Sequence, residues 1–81
     1  MNKKITTSAL EKLGLKAEPR KHEDEFYFDV HTISKGDSQL DVVTSYKTND
    51  LFIDQYIDFN GETLKGKHIG SFQLEALIKM M

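Results

Sequence analysis

Residues 51–64 read LFIDQYIDFNGETL, and this stretch decides the fold. Apolar and polar residues alternate from Leu51 to Phe59, the period of a half-buried strand. Asn60-Gly61 then separates that run from a second one beginning at Glu62. Asn-Gly between two such runs signals a two-residue hairpin, because a type I′ turn needs positive φ at both central residues.

Working backwards, Gln39–Tyr46 (QLDVVTSY) and Glu25–Ile33 (EFYFDVHTI) also alternate and are rich in β-branched and aromatic residues. Ser34-Lys35-Gly36-Asp37 and Lys47-Thr48-Asn49-Asp50 provide the turns between the three strands. A fourth strand, Glu62–Lys67, carries lysines as a protected edge strand does. Lys16–Asp24 holds the only proline and few apolar groups, so it reads as a connector, with a short edge strand near Leu15–Ala17.

A helix is expected at each end. Thr6-Thr7-Ser8 offers N-cap hydroxyls, Ser8 and Glu11 have capping-box spacing, and Ala9, Leu10 and Leu13 form an apolar stripe ended by Gly14. This gives a helix over about 7–13. The last helix starts at Gly70-Ser71, with Ile69 and Leu74 as a hydrophobic staple and Gln73 at N3. Its wide apolar arc predicts a mostly core-facing helix. The expected architecture is α+β, in the order α-β-β-β-β-α. It is a four-stranded antiparallel meander with both helices packed on one face, in a single domain over residues 1–81.

Loop lengths assign the faces, because side-chain direction alternates along a strand. A three-residue loop, Lys35-Gly36-Asp37, sets even residues of the first strand beside even residues of the second. The core face is then Phe26, Phe28, Val30, Leu40, Val42, Tyr46, Leu51, Ile53, Ile57, Phe59 and Leu64. The outer face is Tyr27, Asp29, His31, Asp41, Val43, Ser45, Phe52, Asp54, Tyr56 and Asp58, acidic with interleaved aromatics. A two-residue loop at this turn would undo the assignment.

Composition excludes several functions. With 81 residues the chain has room for one small core. The absence of cysteine removes disulfides, Cys-ligated zinc and thiol chemistry, and favours a reducing, cytoplasmic setting. No apolar run approaches the roughly 20 residues of a membrane span, and the N-terminus lacks a signal peptide's apolar region. The net charge is −2, unevenly spread: residues 25–64 hold two Lys/Arg against eight Asp/Glu, while residues 1–24 hold six against four. An acidic middle is a poor nucleic-acid surface.

The chemistry-bearing residues are few. His22-Glu23-Asp24-Glu25 contains metal-ligand types, but a contiguous run beside a proline is more simply a solvated turn, and no metal or other cofactor is expected. His31 is expected across from Asp41, as a polar cross-strand pair rather than a general base, since no nucleophile is spaced to meet it. His68 reads as a surface residue. Asp54 and Asp58 lie about 13 Å apart along a strand, too far for a glycosidase pair. Gly66-x-x-x-Gly70 beside Lys65 and Lys67 lacks the ending of a phosphate loop.

The N-terminal ITTSALEKLGLK and C-terminal FNGETLKGKHIGSFQLEALIKMM, about half the chain, resemble a loose group of small proteins from phage and prophage-like regions, often of Bacteroidetes. These pair a short opening helix ending Leu-Gly with a closing Leu-rich helix. The group carries no assigned activity. The resemblance implies a phage or mobile-element accessory protein and transfers no site residues.

The expected function is therefore non-catalytic. It is an interaction module that binds a protein partner, or itself as a homodimer, through a sheet edge or through the outer face of Tyr27, Asp29, His31, Asp41, Val43, Phe52, Asp54, Tyr56 and Asp58. The alternative is nucleic-acid binding by the basic ends, Lys3, Lys4, Lys12, Lys16, Arg20, Lys21, Lys65 and Lys67.

Overall fold

A computed structural model describes residues 4–64 and 70–81. The described elements run α1 (Thr7–Lys12), β1 (Lys16–Ala17), β2 (Lys21–Glu23), β3 (Phe26–Lys35), β4 (Ser38–Lys47), β5 (Phe52–Phe59), β6 (Glu62–Leu64) and α2 (Ser71–Met80). The fold is α+β, with one antiparallel sheet of six strands rather than four. The meander β3-β4-β5-β6 is in sequential order, and β1 and β2 both pair with the free edge of β3. The expected connector thus contributes two strands. β2 turns into β3 through Asp24-Glu25, with Asp24 at φ +47, and its sequence KHE has no apolar residue to announce it.

Turn chemistry sets the register. Asn60 and Gly61 have φ of +52 and +86, as the type I′ turn requires. The Asn60 side chain also accepts from the Gln39 N–H, while the Asn60 N–H donates to the Gln39 carbonyl, so the turn grips the start of β4. The turn between β3 and β4 departs from expectation. Lys35 opposes Ser38 directly, leaving a two-residue loop, Gly36-Asp37, with Gly36 at φ +57. Glycine at the first central position is what a type II′ turn uses.

That one-residue difference turns β3 over relative to the expected faces. Val30 opposes Val43, His31 opposes Val42, and Ile33 opposes Leu40. Phe26, Phe28 and Val30 are therefore not on the helix-covered side, and Tyr27, Asp29, His31 and Ile33 are. A second shift, a bulge at Ser45/Tyr46, pairs Tyr46 with Phe52 and leaves Ile53 as the extra residue. Leu51 and Ile53 are consequently exposed rather than core, and Phe52 joins the helix side.

The core lies between that side of the sheet and the helices. It contains Ile5, Leu10, Leu15, Leu40, Val42, Ile57, Leu74 and Ile78, with Ile33, Phe59 and Leu64 packed against it. α1 is capped by Thr6, whose Oγ1 accepts from the Ala9 N–H at 3.2 Å. It ends in a Schellman motif: the Gly14 N–H donates to the Glu11 carbonyl and the Leu15 N–H to that of Leu10. Gly14 sits at φ +96, and a Cβ there would meet Ile33 Cδ1 at 3.3 Å. The turn that stops α1 thereby delivers Leu15 to the core and starts the chain into β1.

α2 begins at Gly70, whose N–H donates to Gln73 Oε1. It buries Leu74 and Ile78, but Phe72 and Met80 point away, 87% and 79% exposed. Its core stripe is thus narrower than the sequence suggests. The staple residue Ile69, the end of the fourth strand at 65–67, His68, most of the Gly66-to-Gly70 spacing and Lys3 lie outside the described residues. No described helix is long and apolar enough to cross a membrane.

Candidate functional site: the uncovered face of the sheet

The register divides the nine expected interaction residues between two surfaces. Tyr27, Asp29, His31 and Phe52 stand on the helix side, whereas Asp41, Val43, Asp54, Tyr56 and Asp58 stand on the opposite face.

On the helix side these residues serve the fold. Gln55 reaches across to the N-terminal segment: its Oε1 accepts from the Ile5 N–H at 2.8 Å, and its Nε2 donates to the Ile5 carbonyl and to Thr44 Oγ1. This clasp fixes the chain where it enters α1. Beyond it lies an aromatic end. Tyr27 stacks on Tyr46 with centroids 4.9 Å apart, and Tyr46 meets Phe52 edge-on. Two cations cover these rings. Lys4 Nζ lies 4.6 Å from the Tyr46 centroid and donates to its hydroxyl, and the Arg20 guanidinium lies 4.3 Å from Tyr27. Arg20 also grips Asp29 through two hydrogen bonds of 2.8 and 3.1 Å. The Tyr27 hydroxyl donates to Asp50 at 2.6 Å. That bond, helped by burial, pushes the Tyr27 pKa up to about 12. The bond to Asp29 likewise raises that of Arg20.

His31 is 3% exposed, and neither ring nitrogen has a hydrogen-bond partner. It opposes Val42 and Ala17, and Asp41 opposes Thr32 instead. The expected His31–Asp41 pair does not form. His22 and Glu23 are consecutive in β2 and point to opposite faces, so the acidic run does not converge on one point. Among the described residues no three His, Cys, Asp or Glu side chains are arranged to hold a metal ion.

The other face has no described element over it. Its centre is an apolar band: Val30 and Val43, buried at 9% and 8% exposure among their neighbours, beside the half-buried Tyr56 and Phe28 and the exposed Phe26. The expected interaction set lacks Phe26 and Phe28 because a three-residue first loop places them on the core face, whereas the two-residue loop places them here. Two cross-strand rows border the band. One runs Lys21, Phe28, Ser45, Asp54; the other runs Lys16, Thr32, Asp41, Asp58. Each begins in a lysine at the β1/β2 edge and ends in an aspartate on β5.

Asp41 and Asp58 are directly opposite, a like-charge pair that costs stability. Gln39 Nε2 donates to Asp41, and the Thr63 hydroxyl donates to Asp58. Asp41 and Asp58, with Asp37, Gln39, Asn60 and Gly61, line a shallow depression of about 460 Å³ at the hairpin tips. Tyr56 is half-buried between Asp54 and Asp58, and burial, followed by both carboxylates, raises its pKa.

The described basic residues do not gather on one surface. Lys4 and Arg20 are at the aromatic end of the helix side, Lys12 is at the end of α1, and Lys16 and Lys21 are on the opposite face of the sheet. No protein family, curated protein or solved structure matches this chain. Function must therefore be argued from its own geometry.

Proposed function

We propose that the chain is a non-catalytic interaction module that docks a protein on the uncovered face of its sheet, in keeping with an accessory role in a phage or mobile element. The observation that carries this reading is the contrast at the centre of β4. Val42 is covered by the helices, while its neighbour Val43 lies on a face with no described element over it. There Val43 and Val30 are shielded to 8% and 9% exposure by surrounding side chains, and Phe26, Phe28 and Tyr56 present the accessible apolar area. An antiparallel sheet with one solvated face ordinarily alternates apolar with polar residues. Here Phe28, Val30, Val43 and Tyr56 break that alternation together, in one contiguous patch ringed by charge, and such patches mark partner surfaces. The enclosure of His31 supports a non-catalytic role, because its ring is out of reach of a substrate.

Tyr56→Ala tests the reading. Tyrosine is a common binding anchor, and its loss is expected to weaken partner binding by tenfold or more, a cost above about 1 kcal/mol. The denaturation midpoint should move little, since the side chain is half-exposed. Unchanged binding of every partner, the chain itself included, would rule the face out.

A further inference from the structure

Resting on that docking face, we infer that the protein seated on it is a second copy of this chain, related by a two-fold axis that lies between the two sheets, parallel to the strands and over the β3–β4 seam. The distribution of charge carries this inference. Such an axis reverses each cross-strand row and leaves its height along the strands unchanged. The row Lys21, Phe28, Ser45, Asp54 then meets itself backwards, and so does the row Lys16, Thr32, Asp41, Asp58.

Lys21 of one copy faces Asp54 of the other, and Lys16 faces Asp58. By symmetry each pair occurs twice. Val30 meets Val43 across the axis, so the apolar band is buried against itself. Within these two rows no like charges are opposed. In both of these rows the cation lies on one edge and the anions lie toward the other, an arrangement complementary to its own two-fold image, the condition an isologous interface must meet. Glu23 and Lys47, in the row of Phe26, lie outside this pattern. The same arrangement suits a foreign partner only if that partner happens to carry the opposite polarity.

The area is sufficient. Four strands at about 4.8 Å spacing and up to ten residues long span roughly 19 by 33 Å, or about 600 Å² in flat projection. Side-chain relief raises the accessible area toward the roughly 800 Å² per partner of a standard interface. Sheets packed this way align within about 30°, which keeps the rows in register near the axis. The aspartates also acquire a role. Asp41 and Asp58 repel each other within one chain, and a lysine from the second copy relieves that repulsion.

The test is sedimentation equilibrium of the full chain and two charge-reversed variants, Lys16→Asp/Lys21→Asp and Asp54→Lys/Asp58→Lys. All the reversed side chains border the band and lie outside the core. The parent chain is expected to sediment at twice the monomer mass. Each variant alone should dissociate at least tenfold more readily, and an equimolar mixture of the two should regain the dimer. A monomeric parent, variants as dimeric as the parent, or a mixture that stays monomeric would overturn the inference. Carbodiimide labelling of Asp54 and Asp58 separates this failure from that of the docking face itself. If the purified chain is monomeric yet these carboxylates are protected in an extract of the source cell, the second copy is wrong and the face stands. If the purified chain is monomeric and they are labelled equally in both, both readings fall.

Discussion

Val42 and Val43 are adjacent in β4 and face opposite ways, and nearly everything about this molecule follows from the difference. On the Val42 side, Leu40, Ile57, Leu74 and Leu10 close a core whose central members are inaccessible to solvent. On the Val43 side a smaller apolar set, Phe26, Phe28, Val30, Val43 and Tyr56, sits on the same strands with no described element over it, and within it Val30 and Val43 are 9% and 8% exposed. A chain of this size can build only one thick core, so the second apolar surface lacks a structural explanation within the described chain. Burial on the helix side measures folding, whereas the apolar content of the other face is the part of the molecule that the proposed docking would use.

The largest expected effect breaks the helix side. Leu40→Ala opens a cavity at a fully buried position and should cost about 2–5 kcal/mol. A denaturant titration would read most of the stability of an 81-residue domain as lost. The matching truncation on the other face, Tyr56→Ala, should cost about 1 kcal/mol or less in the same titration. If the two costs were equal, the two faces would not differ as described.

Next is the clasp. Gln55→Ala leaves the Ile5 N–H and carbonyl without their partner, and one such partly buried loss is worth about 1–3 kcal/mol. Hydrogen exchange should report it as faster exchange at Ile5 and through α1 before the strands respond.

His31→Leu should act in the opposite direction. Both ring nitrogens are buried without partners, so an apolar side chain of similar volume removes a desolvation cost and should stabilise the fold by about 1 kcal/mol. A destabilised variant would mean that the ring is held by a contact that outweighs its desolvation.

The smallest effect is at high pH. In the folded chain the Tyr27 hydroxyl stays protonated up to about 12, against 10 for an ordinary tyrosine. The unfolded chain therefore loses this proton first. Stability from this group is intact below pH 10 and declines as the pH rises toward 12. Tyr27→Phe should flatten that part of the stability profile, and tyrosinate absorbance followed through the same range should show one late-titrating group disappear.

Much of this was legible in the sequence, and what was not has identifiable causes. Asn60-Gly61 admits a single kind of turn, so the β5–β6 pairing could be read directly. Gly14 after Leu10 and Leu13 announced the end of α1 for the same kind of reason. Gly36-Asp37 is different, because a glycine followed by an aspartate suits a two-residue and a three-residue loop alike, and the faces of β3 depend on which forms. Composition could not arbitrate, since β3 is apolar on both sides: Phe26, Phe28 and Val30 on one, Tyr27 and Ile33 on the other. Ile33 was the usable signal, because the even reading places it on the solvent side. The bulge at Ser45/Tyr46 has no glycine to mark it, so Leu51 and Ile53 were assigned to a core they do not reach. Of the six expected interaction residues on β4 and β5, five share a surface because their register survives the error at the first turn, while the bulge sends Phe52 to the other side.

The side assignment of β3 is the central claim, and nuclear Overhauser contacts across the β3–β4 hairpin test it most directly. The structure predicts that Val30 lies opposite Val43 and that the His31 ring lies against Val42, so cross-peaks should link those pairs. Cross-peaks linking Val30 to Val42 instead would show a three-residue turn, return Phe28 and Val30 to the core, and contradict the account.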